Sequence, residues 1–456
     1  MKVVKFGGTS VADARQILKI VSIVTSDSAR RIVVVSAPGK RHSKDTKVTD
    51  LLIALADTVL AGKPFESDLA AVVGRYAEIQ KELGLDSGIV AEIEKDLRDR
   101  IRSRSDNNAQ FMDTMKAAGE DNCAKLVAQV FIRQGAPARY VDPREAGMLL
   151  SEDFGNAQVL PESYARLASL KDAKEIVIFP GFFGYTLKGQ VATFPRGGSD
   201  ITGSIVAAAV KADVYENFTD VDSVYAIDPR IVPDAPAIST LTYREMRELS
   251  YAGFGVFHDE AVIPAVQAKV PICIKNTNRP EAPGTLVVPQ RKYHHGEVTG
   301  IASAGGFSSI YLSKYMMNRE VGFGRRLLQV LELEQLSFEH VPSGIDNMSV
   351  ILRSTALTAE KEKQILDHIR QELRPDDVTV EHGLALIMIV GEGMRYAVGM
   401  ASKATTALAD SGINIEMINQ GSSEISIMFG VKDADRKAAV EALARALLIQ
   451  PSKPVC

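Results

Sequence analysis

The first part of the chain alternates between short runs of apolar residues and longer stretches with apolar positions at helical spacing. Residues 2–6, 31–36, 138–141, 175–179, 213–218 and 272–275 form the short runs, rich in Val, Ile, Phe and Tyr. A β-branched run without polar alternation predicts a strand covered on both faces, as in a parallel sheet. Residues 11–24 and most of 51–130 carry Ala, Leu, Glu, Lys and Arg at helical spacing. Strands alternating with helices predict an α/β fold: an open, mostly parallel sheet with helices on both faces.

From residue 281 to 296 the chain is rich in Pro and polar residues and reads as a linker. Beyond it the pattern repeats. Val321-Gly322 opens a helical stretch that leads to an apolar run at 336–341, a Ser343-Gly344 turn and Met348-Ser349-Val350. Val398-Gly399 opens another, leading to a run at 413–418, Gln420-Gly421 and Ile425-Ser426-Ile427. The offset is constant: 399 − 322 and 426 − 349 both give 77. Two copies of this length predict small βαββαβ modules, since a solenoid needs more copies of shorter period. The expected organisation is one domain over 1–295 and two modules over 300–382 and 383–456. Paired modules of this kind read as ligand-binding, with plain structural duplication as the alternative.

A length of 456 residues exceeds one hydrophobic core and agrees with that division. The net charge of −4 gives no reason to expect nucleic acid or an anionic membrane as a partner. No apolar run reaches membrane-spanning length, and the N-terminus reads as a strand, not a signal peptide. Cys123, Cys273 and Cys456 are odd in number and far apart. They argue against disulfides or a Cys-based zinc site and for a reducing compartment, the cytoplasm. No HExxH or similar spacing occurs, so no protein-held metal is expected.

Three clusters can carry chemistry. Lys5-Phe6-Gly7-Gly8-Thr9-Ser10 lies between a predicted strand and a predicted helix. Glycines let the backbone approach phosphate oxygens, helix-start N–H groups point at anions, and Lys5 supplies a point charge. The GxxxxGK[ST] spacing of a Walker loop is absent, and a Gly-Gly turn alone is more often only a turn. In the second cluster, Arg196-Gly197-Gly198-Ser199-Asp200, Arg196 can grip a carboxylate and Asp200 can meet a substrate ammonium group or polarise a phosphate-site lysine. Alternatively Ser199 or Asp200 simply caps a helix. The third, Thr219-Asp220-Val221-Asp222 with Tyr225 and Arg230, follows a strand and so sits at the carboxyl edge of the sheet, where such folds bind ligands. Taken alone, it is better explained as an Asp-rich turn. Gly322-Phe323-Gly324 and Gly391-Glu392-Gly393 lack the third glycine of a dinucleotide fingerprint, and His258 reads as structural.

In this order, the three clusters resemble the signature blocks of the aspartokinases, amino-acid kinases with C-terminal ACT modules. The repeat is similar to their paired ACT modules, including Pro342-Ser343-Gly344-Ile345-Asp346 and Gln420-Gly421-Ser422-Ser423-Glu424. The resemblance implies transfer of the γ-phosphoryl of ATP to the side-chain carboxylate of L-aspartate, the entry to lysine, threonine and methionine synthesis. It implies ATP contacts at Lys5, Phe6, Gly7, Gly8, Thr219, Asp220, Tyr225 and Arg230, with Mg²⁺ carried on the nucleotide. It implies aspartate contacts at Thr49, Glu120, Arg196, Gly197, Ser199 and Asp200, with Lys5, Arg196 and Asp200 as the catalytic set.

A lysine or threonine effector would bind near Met316, Gly322, Phe323, Glu339 and Ser343, and the ACT modules would pair subunits into a homodimer or dimer of dimers. Two departures stand out. Gly255 occupies the place of a nucleotide-contacting lysine in a Gly-Ala-Lys-Val-Leu-His-Pro run, and Asp121-Asn122-Cys123 replaces the small apolar residues expected after Glu120. The rival readings are a related kinase acting on glutamate, N-acetylglutamate or UMP, and a catalytically silent amino-acid sensor.

Overall fold

The structure, a computed structural model, describes residues 1–253 and 259–448. Gly255, His258 and Cys456 therefore lie outside the described residues. Two compact units are present: 1–224, 237–243 and 259–291 build the first, while 225–236, 244–253 and 292–448 build the second.

The first unit is organised by an eight-stranded sheet. Its strands in chain order are β1 (Lys2–Phe6), β2 (Arg30–Val35), β3 (Ala138–Tyr140), β4 (Ile176–Pro180), then, after a hairpin of β5 (Phe183–Tyr185) and β6 (Val191–Thr193), β7 (Val214–Thr219), β8 (Thr240–Thr242), β9 (Ile272–Asn276) and β10 (Thr285–Val288). Their spatial order is β3-β4-β2-β1-β7-β9-β10-β8. Every pairing is parallel except β9 with β10. Ile32, Val33, Val34 and Val35 are all fully buried, as continuous β-branched runs in a doubly covered sheet require. Helical content between β2 and β3 is divided into Val48–Leu60, Glu66–Leu83, Gly88–Arg102 and Asn108–Arg133. Gly84, at φ +61°, closes the second of these in the left-handed conformation. The stretch expected to be a linker contains β10, because Thr285 and Val287 alternate inward and are buried.

The order of strands changes direction at β1. From β1 the chain proceeds to β2 on one side, whereas β7 lies on the other. The carboxyl ends of β1 and β7 therefore flank a topological switch point, the place where open α/β sheets bind ligands.

The second unit contains a five-stranded sheet in the order β12-β11-β13-β15-β14, with β11 at Gly300–Ser313, β12 at Asn347–Arg353, β13 at Asp377–Val390, β14 at Met417–Asn419 and β15 at Ser426–Lys432. The 77-residue offset recurs in whole elements: β11 starts at 300 and β13 at 377, and the helices Phe323–Leu333 and Met400–Asp410 start at 323 and 400. Both long strands bend at equivalent glycines with positive φ, Gly306 and Gly383. Beyond the bend, residues from Phe307 pair with β12, whereas Gly300–Ala304 pair with the second half of β13, which in turn pairs with β15. The strand at 300–304 thus belongs to the sheet of the second module. Phe323, Leu327, Val330, Ile365 and Ile369 form the helical side of the first module's core. Among the described residues, no helix is long and apolar enough to cross a membrane.

Candidate active site

Lys5 is the penultimate residue of β1 and is buried. A buried ammonium needs a counter-charge, and Asp200 supplies it: Nζ lies 2.6 Å from Asp200 Oδ1. Asp200 stands in the first turn of the Gly198–Val210 helix. Gly197 precedes that helix at φ +80°, and no side chain caps its N-terminus. The alternative that Ser199 or Asp200 serves as a helix cap is therefore overturned. Asp200 N–H turns back onto Gly197 O at 2.8 Å, whereas the N–H groups of Gly198 and Ser199 meet no acceptor among the described residues and suit an anion. Arg196 is exposed, and no described residue pairs with its guanidinium.

After β1, Gly7 is extended and Gly8–Val11 forms a 3-10 turn, again without a side-chain cap. The loop after β2 packs directly on it. Gly39 N–H donates to Gly8 O at 2.8 Å, and a Cβ on Gly39 would sit 2.6 Å from the Gly8 carbonyl carbon. Only glycine at 39 permits this backbone contact. Arg75, buried on the Glu66–Leu83 helix, pins the same loop through Gly39 O (3.0 Å), Thr46 O (2.9 Å) and Asp45 (3.0 Å). Asp45 also accepts from Arg41, and that hydrogen bond above all holds its carboxyl well below the usual carboxylate range.

Next along the loop, Val48 N–H donates to Pro38 O, which places Thr49 in the uncapped first turn of the Val48–Leu60 helix. Glu120 projects from the Asn108–Arg133 helix and is buried. Desolvation pushes its carboxyl up to about 8, against a smaller lowering by the Ala37 N–H. Glu120 Oε2 has no hydrogen-bond partner. A buried, half-satisfied carboxyl beside a glycine loop is suited to a ligand ammonium group. The polar residues that follow it point elsewhere: Asp121 takes Arg100 (2.5 Å), Lys125 (3.0 Å) and Tyr140 (2.5 Å), and Asn122 donates to Asp96 at 3.0 Å. They serve a buried ionic network between helices, which accounts for their polarity.

At the end of β7, Thr219 Oγ1 donates to Asp220 Oδ1 at 3.1 Å, and Asp220 is exposed. Ser10 and Thr277 hydroxyls meet at 2.7 Å and join the β1 turn to the residue after β9. Tyr225 and Arg230 belong to the second unit, where Arg230 is exposed and paired with Asp228 at 2.7 Å. Among the described residues no group of three or more metal-ligating side chains occurs.

Two contributors were not singled out from the sequence. Asn217 of β7 is buried and donates from Nδ2 to Asp200 Oδ1 at 2.6 Å. Arg75 is the other. The available signals were an amide inside an apolar strand and an arginine at an inward position of a helix.

In the second unit, the five expected effector residues divide. Ser343 lines a groove of about 650 Å³ on the sheet, with Gly344, Asn347, Glu381 and Glu416. Met316 N–H donates to Asp346, which ties its loop to the 343–346 turn. Gly322, at φ +81°, starts the Phe323–Leu333 helix. Phe323 itself is buried in the module's core, and Glu339 is committed to Arg353 at 3.0 Å.

A model of the amino acid kinase family matches residues 1–276, and an ACT domain model matches 387–447. Aspartokinase 3 of Bacillus subtilis is 56% identical to this chain, covering 97% of it and 98% of the relative. The crystal structure of the aspartate kinase of Clostridium acetobutylicum superposes with a TM-score of 0.88 at 37% identity, covering 98% of this chain and 100% of that one. Aspartokinase III of Escherichia coli, solved with aspartate and ADP, superposes at 0.78 with 26% identity over 98% of this chain and 100% of that one. In its complex with lysine and aspartate the same enzyme gives 0.79 at 28% identity, with the same coverage.

Proposed function

The chain belongs to the amino acid kinase family and within it to the aspartokinases, and we infer that it transfers the γ-phosphoryl group of ATP to the side-chain carboxylate of L-aspartate. The products are 4-phospho-L-aspartate and ADP, and the reaction opens lysine, threonine and methionine biosynthesis. The observation that carries this reading is the buried Lys5–Asp200 pair between two uncapped backbone turns, one after β1 and one at Gly197. Together they offer a lysine and the backbone N–H groups at two turn starts to a polyphosphate.

The attacking carboxylate is ionised at neutral pH, so no general base is needed. What the protein must supply is alignment of carboxylate and γ-phosphate and neutralisation of phosphoryl charge. Lys5, Gly7 and Gly8 hold the phosphates, and Phe6 shapes the strand end. Thr219, Asp220, Tyr225 and Arg230 hold the rest of the nucleotide, which enters as its Mg²⁺ complex. Arg196 grips the α-carboxylate, Glu120 receives the ammonium group, and Thr49, Gly197 and Ser199 complete the aspartate site. Asp200 keeps Lys5 aimed. The E. coli relative solved with aspartate and ADP supports this substrate pair.

The two ACT modules bind an end-product amino acid, lysine or threonine, and pair subunits into a homodimer or dimer of dimers. The lysine complex of the E. coli relative supports the first statement. For the second, Val321 and Val398, equivalent in the repeat, are 95% and 96% exposed, as surfaces awaiting a partner would be. With free thiols at Cys123 and Cys273, the protein acts in the cytoplasm. Aspartate-dependent ADP release, inhibited by millimolar lysine or threonine, tests the reading. Turnover on glutamate alone would move the chain to another branch of the family.

A further inference from the structure

Position 217 is a costly place for an amide. β7 is central in the sheet, and its neighbours Tyr215, Glu216 and Phe218 are buried. A buried carboxamide without a partner is disfavoured, because it gives up its hydrogen bonds to water and gains none. Asn217 avoids this by donating to Asp200 Oδ1 at 2.6 Å. Lys5 and Asn217 stand side by side in the parallel register of β1 and β7. Their side chains converge on one oxygen, since Lys5 Nζ also reaches Oδ1 at 2.6 Å. No described residue pairs with Oδ2. Two residues earlier on the same face of β7, the Tyr215 hydroxyl donates to the Asp200 carbonyl at 3.2 Å. Gly203 makes room for that ring, because a Cβ there would lie 2.5 Å from the phenol oxygen. Thus β7 holds both the backbone and the carboxylate of Asp200.

We propose that Asn217 is a positioning residue for phosphoryl transfer, acting on Lys5 through Asp200. When the polyphosphate arrives, the Lys5 ammonium is shared between phosphate oxygens and Asp200. A carboxylate left with lysine as its single partner would follow the ammonium or retain it. The amide donor fixes Oδ1 in place and takes up part of its electron density. Lys5 is then steered by an anchored carboxylate and keeps its remaining protons for the phosphate. The strengthening of that contact matters most as charge develops in the transition state, so the effect belongs to kcat rather than to ground-state binding.

This inference rests on the kinase reading, and its test separates the two. The full chain is assayed as wild type, Asn217→Leu, Asn217→Ser, Asp200→Asn and the Asp200→Asn/Asn217→Leu double variant, with thermal melting of each. The expected result for Asn217→Leu and Asn217→Ser is a kcat lowered roughly 10- to 100-fold with both KM values within about threefold. The serine variant guards against a leucine variant that fails to fold. In the Asp200→Asn background the leucine change costs less than about threefold, because the two act as one unit. If kcat stays within about threefold of wild type in either folded single variant, or falls equally in both backgrounds, the inference is overturned while the kinase reading stands. A wild type inactive on aspartate overturns both.

Discussion

Glu120→Gln removes one charge and leaves the shape, and its consequences follow from the burial of that side chain. Desolvation raises the carboxyl from its ordinary 4.5 to about 8. At about 1.4 kcal/mol per pH unit, ionised Glu120 costs the ligand-free fold at most about 5 kcal/mol. The folded state therefore holds a proton that the unfolded chain releases between those two values. Stability of the wild type must fall as pH rises from about 4.5 to about 8, and Glu120→Gln must lack that part of the fall. Denaturant unfolding of both proteins between pH 5 and 9 isolates the difference: nearly equal at pH 5, with the glutamine variant more stable by a few kcal/mol at pH 8.5.

Aspartate should reverse the balance, because its ammonium group supplies the partner that Oε2 lacks. Binding to wild type at pH 7 should then release close to one proton per site, measurable by calorimetry in buffers of different ionisation enthalpy. The variant should release none and should bind aspartate at least ~10-fold more weakly. Parallel unfolding profiles and equal proton release in both proteins would refute the reasoning.

Gly39→Ala forces a Cβ against the Gly8 backbone, so it should lower stability by about 1–3 kcal/mol and abolish most turnover, read by melting and ADP release. Arg196→Ala should raise the KM for aspartate at least ~10-fold without moving the melting temperature, since the side chain is exposed; Arg196→Lys should rescue little, because a bidentate grip is lost. Asp45, held low by its hydrogen bond to Arg41, adds stability that is present above the ordinary carboxylate range and lost as pH falls. Asp45→Asn should accordingly destabilise the protein at pH 7, and unfolding measurements should show the difference narrowing in acid below about pH 4.

The strands that frame the site were legible because burial on both faces writes itself as an uninterrupted apolar run, as in 32–35. The three-residue strands β5, β6 and β8 are too short for a pattern, and β10 sits among prolines that signal a loop. The 77-residue period was legible as far as the helices. It did not reveal that Gly300–Ala304 pairs within the second module, because a register between distant strands leaves no local mark. Lys5 and the glycine clusters announce phosphate chemistry through residue type and position. Glu120 does not: its value lies in an unsatisfied oxygen, which depends on what surrounds the helix. Asn217 and Arg75 are similar cases, polar residues whose partners come from other elements. Phe323 was expected near an effector, yet the amphipathic face of its helix takes it into the core.

The most direct test of the central claim is hydroxylamine trapping of the acyl phosphate formed from ATP, Mg²⁺ and L-aspartate, with glutamate and N-acetylglutamate in parallel. The account predicts an aspartate-dependent hydroxamate that disappears in Lys5→Ala. Hydroxamate from glutamate or N-acetylglutamate instead, or none from any of the three, would contradict it.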